Sequence, residues 1–419
     1  MMSNTRDANG RSLSAKDREL PKQDDLVEYN FAVAGHAGTM CDADGELFIK
    51  PCTKAEVDFY EVAHAKHPDF AEIMPLYIGT LILNENTSEA HIHAQIPELV
   101  EHADIPQAIK HEIQSHLHLD NRAAYYPPPT DLPAQTAPKA EDAPKTAPED
   151  NEEWKPKEGK TRKIDTDRAV VLENASFGYK HPNIMDAKLG LRLWADDAPQ
   201  AKKDRFDKIA QETTHKHHGF RVAGMRTWKG SSDPKELDRA DYRIYDKDWG
   251  RLDVNDDNIH EKIGSFIFNK DAGIDEDLGK TVAGLFAEDL RRIQEVLERE
   301  ESRMYSASLL FVFEGDGQAL REAIAEAKAG TVAERRSERA ACSNIRIDSG
   351  ISMDKDETAA ADQDYDDDDE DEDLSTFPRI YSVRLIDFAH ARFIPGEGPD
   401  ENVLFGVRGL RKIFEKLAE

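Results

Sequence analysis

The sequence predicts an α/β (α+β) protein with a small N-terminal sheet unit and a larger C-terminal unit. Three observations predict it. Short apolar and β-branched runs alternate with helix-period segments from Phe31 to Leu83 and again from Ala169 to Leu417. Asp44-Gly45 lies between two apolar runs, which signals a hairpin near the N-terminus. Two stretches rich in Pro, Ala or acidic residues, 117–164 and 331–376, break the pattern. They read as a disordered linker and a disordered insertion without packed cores.

Composition narrows the class. The 419 residues allow two domains or one domain with insertions. Hydrophobic residues make up 39% and charged residues 33%, a polar balance that predicts sizeable disordered parts. Net charge is −29, and residues 354–373 alone hold thirteen acids against one Lys. A chain this acidic is unsuited to direct nucleic-acid or membrane-surface binding, so handling a polyanion needs a local cationic patch. Cys41, Cys52 and Cys342 are scattered and odd in number, against a disulfide framework or zinc site and in keeping with a reducing compartment. The N-terminus lacks an apolar signal core, and no run of about 18 apolar residues exists to span a membrane.

In chain order, residues 1–28 are polar and read as disordered. Residues 32–40 and Glu46–Lys50 read as two strands about the Asp-Gly turn. A helix is expected from about Lys54 to Lys66, with Val57, Tyr60 and Ala63 or His64 on one face and Glu56 in its first turn. A third strand is expected at Pro75–Leu83. Lys50 on a strand and Glu56 on the next helix form the arrangement with which protein kinases hold ATP phosphates. Taken alone, Lys50 reads better as a strand-end lysine facing water, as most lysines do. The basic cluster Lys155, Lys157, Lys160, Arg162 and Lys163 within the linker is a nuclear-import candidate or merely solvated.

After the linker, Ala169–Asn174 reads as a strand, followed by Pro182-Asn183-Ile184-Met185-Asp186-Ala187-Lys188-Leu189-Gly190. If extended, this segment aims Asp186 and Lys188 to one side, because strand side chains repeat every two residues. Such a pair can hold a sugar hydroxyl and a phosphate; a surface turn with an ion pair of little worth is the equal alternative on these nine residues. Asp196 to about His218 reads as one helix, with Asp196 and Asp197 ahead of Pro199 as its N-cap. Its apolar face is Phe206, Ile209 and Ala210, and Lys202, Lys203, Arg205, Lys208, His215, Lys216, His217, His218 and Arg221 crowd the rest. That is the cationic patch a polyanion would need.

Residues 219–228 read as a strand and 244–251 as a polar turn anchored by an aromatic. Asp275–Arg303 is the clearest helix, with Val282, Phe286, Leu290, Ile293 and Leu297 on one face. Ser306–Glu314 reads as a buried strand and residues 317–329 as a helix. Residues 379–390 read as a strand that delivers Asp387 at its C-terminal end, and Asn402–Leu417 as the closing helix.

These pieces fit phosphoryl transfer, which needs a metal-holding carboxylate, a lysine on the nucleotide phosphates and cations placing the acceptor. The sequence resembles the inositol polyphosphate kinase family, whose hallmark P-x-x-x-D-x-K-x-G is met by Pro182, Asp186, Lys188 and Gly190. Leu172-Glu173-Asn174, Ser308–Val312 and Ile386-Asp387-Phe388-Ala389-His390 add to the resemblance. Ala34-Gly35-His36 and Phe48-Ile49-Lys50-Pro51 are similar to the multikinase branch, its fungal members especially.

The resemblance implies a two-lobed fold, distantly protein-kinase-like, with an N-lobe at 29–116 and a C-lobe at 165–419. It implies ATP and Mg2+ as cofactors and inositol polyphosphates as substrates. Lys50 would contact ATP phosphates, paired with Glu56, while Glu173 and Ala175 form the hinge to adenine. Asp186 would hold the ribose, and Lys188 would face both the transferred phosphate and the inositol phosphate. Asp387 and Ser308 would bind the metal. Lys202, Lys203, Arg205, Lys208, Lys247 and His390 would bind the acceptor. One departure stands out: Ala307 replaces the first Ser of the family's usual Ser-Ser-Leu-Leu. An inositol hexakisphosphate kinase shares the hallmark, and the acidic block also suits a scaffold with nuclear protein partners. A monomer in nucleus and cytoplasm is expected.

Overall fold

The computed structural model describes residues 27–28, 39–42, 45–82, 110, 166–329 and 379–419. The expectations for residues 1–26, the linker with its basic cluster, Cys342 and the acidic insertion lie outside the described residues, as does most of the strand read at 32–40.

Two five-stranded antiparallel sheets carry the fold. The first has the order β1-β2-β3-β5-β4, from β1 (Val27–Glu28), β2 (Met40–Cys41), β3 (Leu47–Pro51), β4 (Tyr77–Ile82) and β5 (Arg168–Glu173). Strands β2 and β3 pair antiparallel as expected of a hairpin, and Gly45 between them stands at φ 77°. Helix α1 (Lys54–Lys66) begins at Thr53, whose hydroxyl accepts from the Glu56 N–H. It buries Val57, Phe59, Tyr60 and Ala63.

Strand β5 corrects the lobe boundary. It falls within the span read as C-lobe, yet it lies between β3 and β4 in the first sheet. The reason is its composition: Ala169, Val170, Val171 and Leu172 are all buried, so the strand needs cover on both faces and takes a central position. The lobes therefore divide after Glu173.

The second sheet has the order β11-β10-β6-β7-β8, with β6 (Pro182–Leu189), β7 (Phe220–Trp228), β8 (Tyr242–Tyr245), β10 (Ser308–Glu314) and β11 (Tyr381–Ile386). A small ladder pairs β9 (Ser302–Met304) with β12 (Ala391–Phe393). Behind the sheet pack α4 (Ile259–Ile267), α5 (Glu276–Arg299) and α6 (Glu401–Ala418). Phe266, Phe286, Phe311, Phe313 and Phe414 meet at their centre, mostly edge to face. One apolar core continues from there to Val57 and Tyr60 of α1, so the lobes share it.

Three further readings are corrected. The helix read from Asp196 to His218 is two: α2 (Gln200–Glu212) and a short helix His215–His218. Thr213 is extended between them, and Asp196 caps nothing because Arg192 and Arg392 engage its carboxylate. The turn read at 244–251 is the end of β8 followed by α3 (Lys247–Leu252), whose first N–H groups donate to the Asp246 side chain. Helix α5 stops at Arg299 instead of Arg303, because Ser302 to Met304 pair with β12. Helix α4 lies in a stretch with no predicted element, although Ile259, Ile263, Phe266 and Ile267 carry a clear helical period.

Candidate active site

The site is built on β6. Pro182 opens the strand, where a missing N–H costs least. Glu314 accepts from the N–H groups of Lys180 and His181, and Asn183 accepts from the Trp228 N–H, so both flanks of the strand are pinned. Gly190 closes it at φ 88°, and a Cβ there would run into the Asn402 side chain. Between these ends Asp186 and Lys188 share one face, as strand alternation requires.

Register then supplies the neighbours. Ser308 on β10 stands opposite Lys188 on one side and Ile386 on the other. The residue after Ile386 is Asp387, at φ 71°, a left-handed conformation that Asp tolerates better than most residues. This kink turns its carboxylate toward Lys188 Nζ, 3.6 Å away. Lys188 Nζ also donates to the Ser306 carbonyl at 2.8 Å and to Ser308 Oγ at 3.1 Å.

The first lobe adds its own charge. Lys50 Nζ reaches across to Asp387 Oδ1 at 2.8 Å and to Glu56 Oε1 at 2.7 Å. Glu56 is 2% exposed and accepts from the Phe388 N–H as well, so α1 and the Asp387 turn are tied together. Phe388 packs against Phe59 and Tyr60 of α1, which reinforces the tie. Burial opposes the Lys50 charge, yet the carboxylates of Asp387 and Glu56 outweigh it and raise its pKa well above the ordinary value.

Asp186 is 4% exposed, and its Oδ1 has no hydrogen-bond partner among the described residues. Burial raises its pKa, the Asp387 charge adds to that, and Lys188 and Ser308 pull against it. A buried carboxylate oxygen without a donor fits a hydroxyl-bearing ligand. Glu173 and Ala175 sit where the lobes meet. The Glu173 carboxylate accepts from Arg384 Nε at 3.3 Å, and Asn174 ties the hinge to the Gly45 carbonyl. The backbone of Ala175 makes no hydrogen bond among the described residues and is the open position at this hinge.

The acceptor-side residues divide. Lys202 lies close enough to His390 to act on it: desolvation and the Lys202 charge hold the imidazole below its ordinary pKa. The others are not drawn to the centre. Lys203 Nζ donates to the Asp196 carbonyl, Arg205 lies over Phe206, and Lys208 pairs with Glu212 of its own helix. Of α2 only Ala210 is buried, so Phe206 and Ile209 do not form the expected inner face. Lys247 is exposed at the start of α3, near the site through Arg221, whose NH1 donates to its carbonyl. Ala307 lies in the apolar core, opposite in facing to Ser308, so the departure at 307 takes no hydroxyl from beside Lys188.

Arg221 and His215 were read only as members of a diffuse patch. Arg221 in fact stands directly opposite Lys188 on β7, and His215 is fully buried beside both. Strand alternation on 219–228 could have singled out Arg221, but a register shift between Asp186 and Ala187 hides the match.

The inositol polyphosphate kinase family model matches residues 169–415. The chain belongs to that family. An inositol polyphosphate multikinase of Saccharomyces cerevisiae is 29% identical over 405 residues, covering 91% of this chain and 96% of the relative. Inositol hexakisphosphate kinase 1 of Homo sapiens is 27% identical, covering 62% of this chain and 55% of the relative. A crystal structure of an inositol phosphate multikinase from S. cerevisiae, in complex with ADP and Mn2+, is 23% identical with a TM-score of 0.49 and covers 90% of this chain and 100% of that one. The family hallmark thus has a physical content in this inositol polyphosphate kinase: a strand start, two same-face charges and a left-handed exit.

Proposed function

We propose that this inositol polyphosphate kinase is an ATP-dependent multikinase, moving the ATP γ-phosphate to hydroxyls of inositol tris- and tetrakisphosphates. The observation that carries this is the convergence of Lys50 and Lys188 on the Asp387 carboxylate, at 2.8 and 3.6 Å, with an Asp186 Oδ1 that lacks a hydrogen-bond partner among the described residues. The alignment with a multikinase over nearly its whole length favours that branch over the hexakisphosphate kinases.

The donor set suits magnesium. Asp387 and Ser308 offer few, hard oxygens, which is the pattern for an ion that keeps water and phosphate in its shell. Bound there, the ion would neutralise charge on the bridging phosphate oxygens. The chain's residues do the rest. Lys50 binds nucleotide phosphate, Asp186 accepts from the ribose hydroxyls, and Lys188 steadies the phosphoryl group in passage. The inositol oxygen bonds to the γ-phosphorus as the bond to ADP breaks, and the hydroxyl proton leaves to solvent water. Positioning and electrostatics supply most of the acceleration.

Incubation with inositol 1,4,5-trisphosphate, ATP and Mg2+, followed by chromatography over time, tests this reading. Tetrakis- and then pentakisphosphate should accumulate. Turnover of hexakisphosphate alone, to a pyrophosphate, would overturn it in favour of the sister activity.

The same reading places the protein in nucleus and cytoplasm as a monomer, with nuclear protein partners drawn to the thirteen acids of residues 354–373. Deleting that block should leave kinase activity intact and abolish partner capture. Light scattering and imaging of tagged protein test the state and location.

A further inference from the structure

We propose that Arg221 is a third cation of the acceptor site, binding a phosphate of the inositol polyphosphate beside the position that Lys188 attends. This rests on the function proposed above and assigns a residue to the acceptor.

The register sets Arg221 of β7 directly opposite Lys188 of β6. Cross-strand partners have Cβ atoms about 4.5–5.5 Å apart, and like charges in that relation are destabilising. Two cations held side by side therefore need compensation, and the protein supplies little. Lys188 has its nearest carboxylate, Asp387, at 3.6 Å, and shares it with Lys50. Arg221 has no salt bridge among the described residues. Its NH1 donates to two neutral carbonyls, those of Val222 and Lys247, each at 3.2 Å. Its Nε is enclosed without an acceptor. Its NH2 has no protein acceptor among the described residues and is not enclosed.

The surroundings do not discharge it. His215 packs beside Arg221 and Lys188 as a neutral imidazole. Burial lowers the Arg221 pKa, with Arg251 adding to that and Asp186 and Asp248 opposing it. The charge is thus incompletely balanced in the unliganded protein.

The guanidinium is also held in place. Gly250 sets α3 against β7 so closely that a Cβ would run into the Val222 carbonyl oxygen. That contact brings the Lys247 carbonyl within reach of NH1. A guanidinium fixed at one corner and open at the next suits a phosphate oxygen, with the Lys188 ammonium on the same anion or its neighbour.

The experiment is steady-state kinetics on the full chain, wild type, R221K and R221Q, with ATP and inositol 1,4,5-trisphosphate varied separately. For R221Q the KM for the inositol phosphate should rise about ten- to hundredfold, as for a lost hydrogen bond to a charged group. The KM for ATP should stay within twofold, and R221K should recover part of the loss. An unchanged inositol phosphate KM in folded R221Q overturns the assignment. So does a parallel rise in the ATP KM, which would make Arg221 a support for Asp186 on the nucleotide side. If R221Q does not fold, R221K carries the same comparison. Should the wild type phosphorylate no inositol trisphosphate, the proposed function has failed. Calorimetric titration of that compound into wild type and R221Q then decides the binding role alone: equal affinities, or no binding to the wild type, overturn it.

Discussion

Lys50 and Asp387 stand 337 positions apart in the chain, and their side chains meet at 2.8 Å. One ammonium serves two carboxylates there, since Glu56 lies 2.7 Å from the same nitrogen. The contact ties the first lobe to the second.

Replacing Lys50 by Met leaves Glu56 buried without its cation. The expected cost is about 3 kcal/mol in urea unfolding, the usual penalty for an uncompensated buried charge. Adding Glu56→Gln should restore most of that stability and none of the turnover. Equal stability of wild type and Lys50→Met would show that the pair is solvated.

Asp186→Ala and Lys188→Ala should each nearly abolish phosphorylation of inositol trisphosphate while leaving the unfolding temperature no lower than about 3 °C below wild type. Asp186 is buried with one oxygen lacking a donor, so its removal relieves a desolvated group. Undiminished turnover in either variant would remove the pair from the chemistry.

His215 predicts a pH dependence. Its imidazole pKa is pushed down to about 3, first by burial, then by the charges of Arg221 and Lys188. The unfolded chain binds a proton near pH 6.5 that the folded chain refuses. Stability is therefore complete above about pH 6.5 and falls as pH drops toward 3, by about 1.4 kcal/mol per unit from this group. Leucine at this position, His215→Leu, should flatten that limb of the stability profile. An unchanged slope would mean that another buried group carries it.

Gly250→Ala should displace α3, because the added methyl meets the Val222 carbonyl. Overpacking of this kind costs about 1–3 kcal/mol. It should also raise the KM for the inositol phosphate more than that for ATP, because α3 carries Lys247. Equal effects on both substrates would separate α3 from the acceptor.

The order of elements and the meeting of Lys50, Glu56, Lys188 and Asp387 were legible in the sequence. Helix α1 has the expected bounds because Thr53 caps it and the apolar period ends at its last turn. Asp387 was legible because a strand leads straight into it. Arg221 was not: it belongs to the site only through pairing with β6, and the register shift beside Asp186 spoils a count of two. The boundary after Glu173 was hidden because the Pro-rich linker enters the chain before β5 and not after it. Helix α2 looked better buried than it is, since its aromatic residue packs under its own cations.

The left-handed backbone at Asp387 has an evolutionary consequence. On the metal-binding role proposed for Asp387, position 387 is filtered twice: by conformation, which admits Gly, Asn and Asp readily, and by chemistry, which admits Asp. The two filters overlap in a single residue but differ in what lies around it. A duplicated copy relieved of catalysis could drift to Asn or Gly at this position and keep its shape. Among descendants of this chain, that single letter would separate silent paralogues from working ones before any fold was lost.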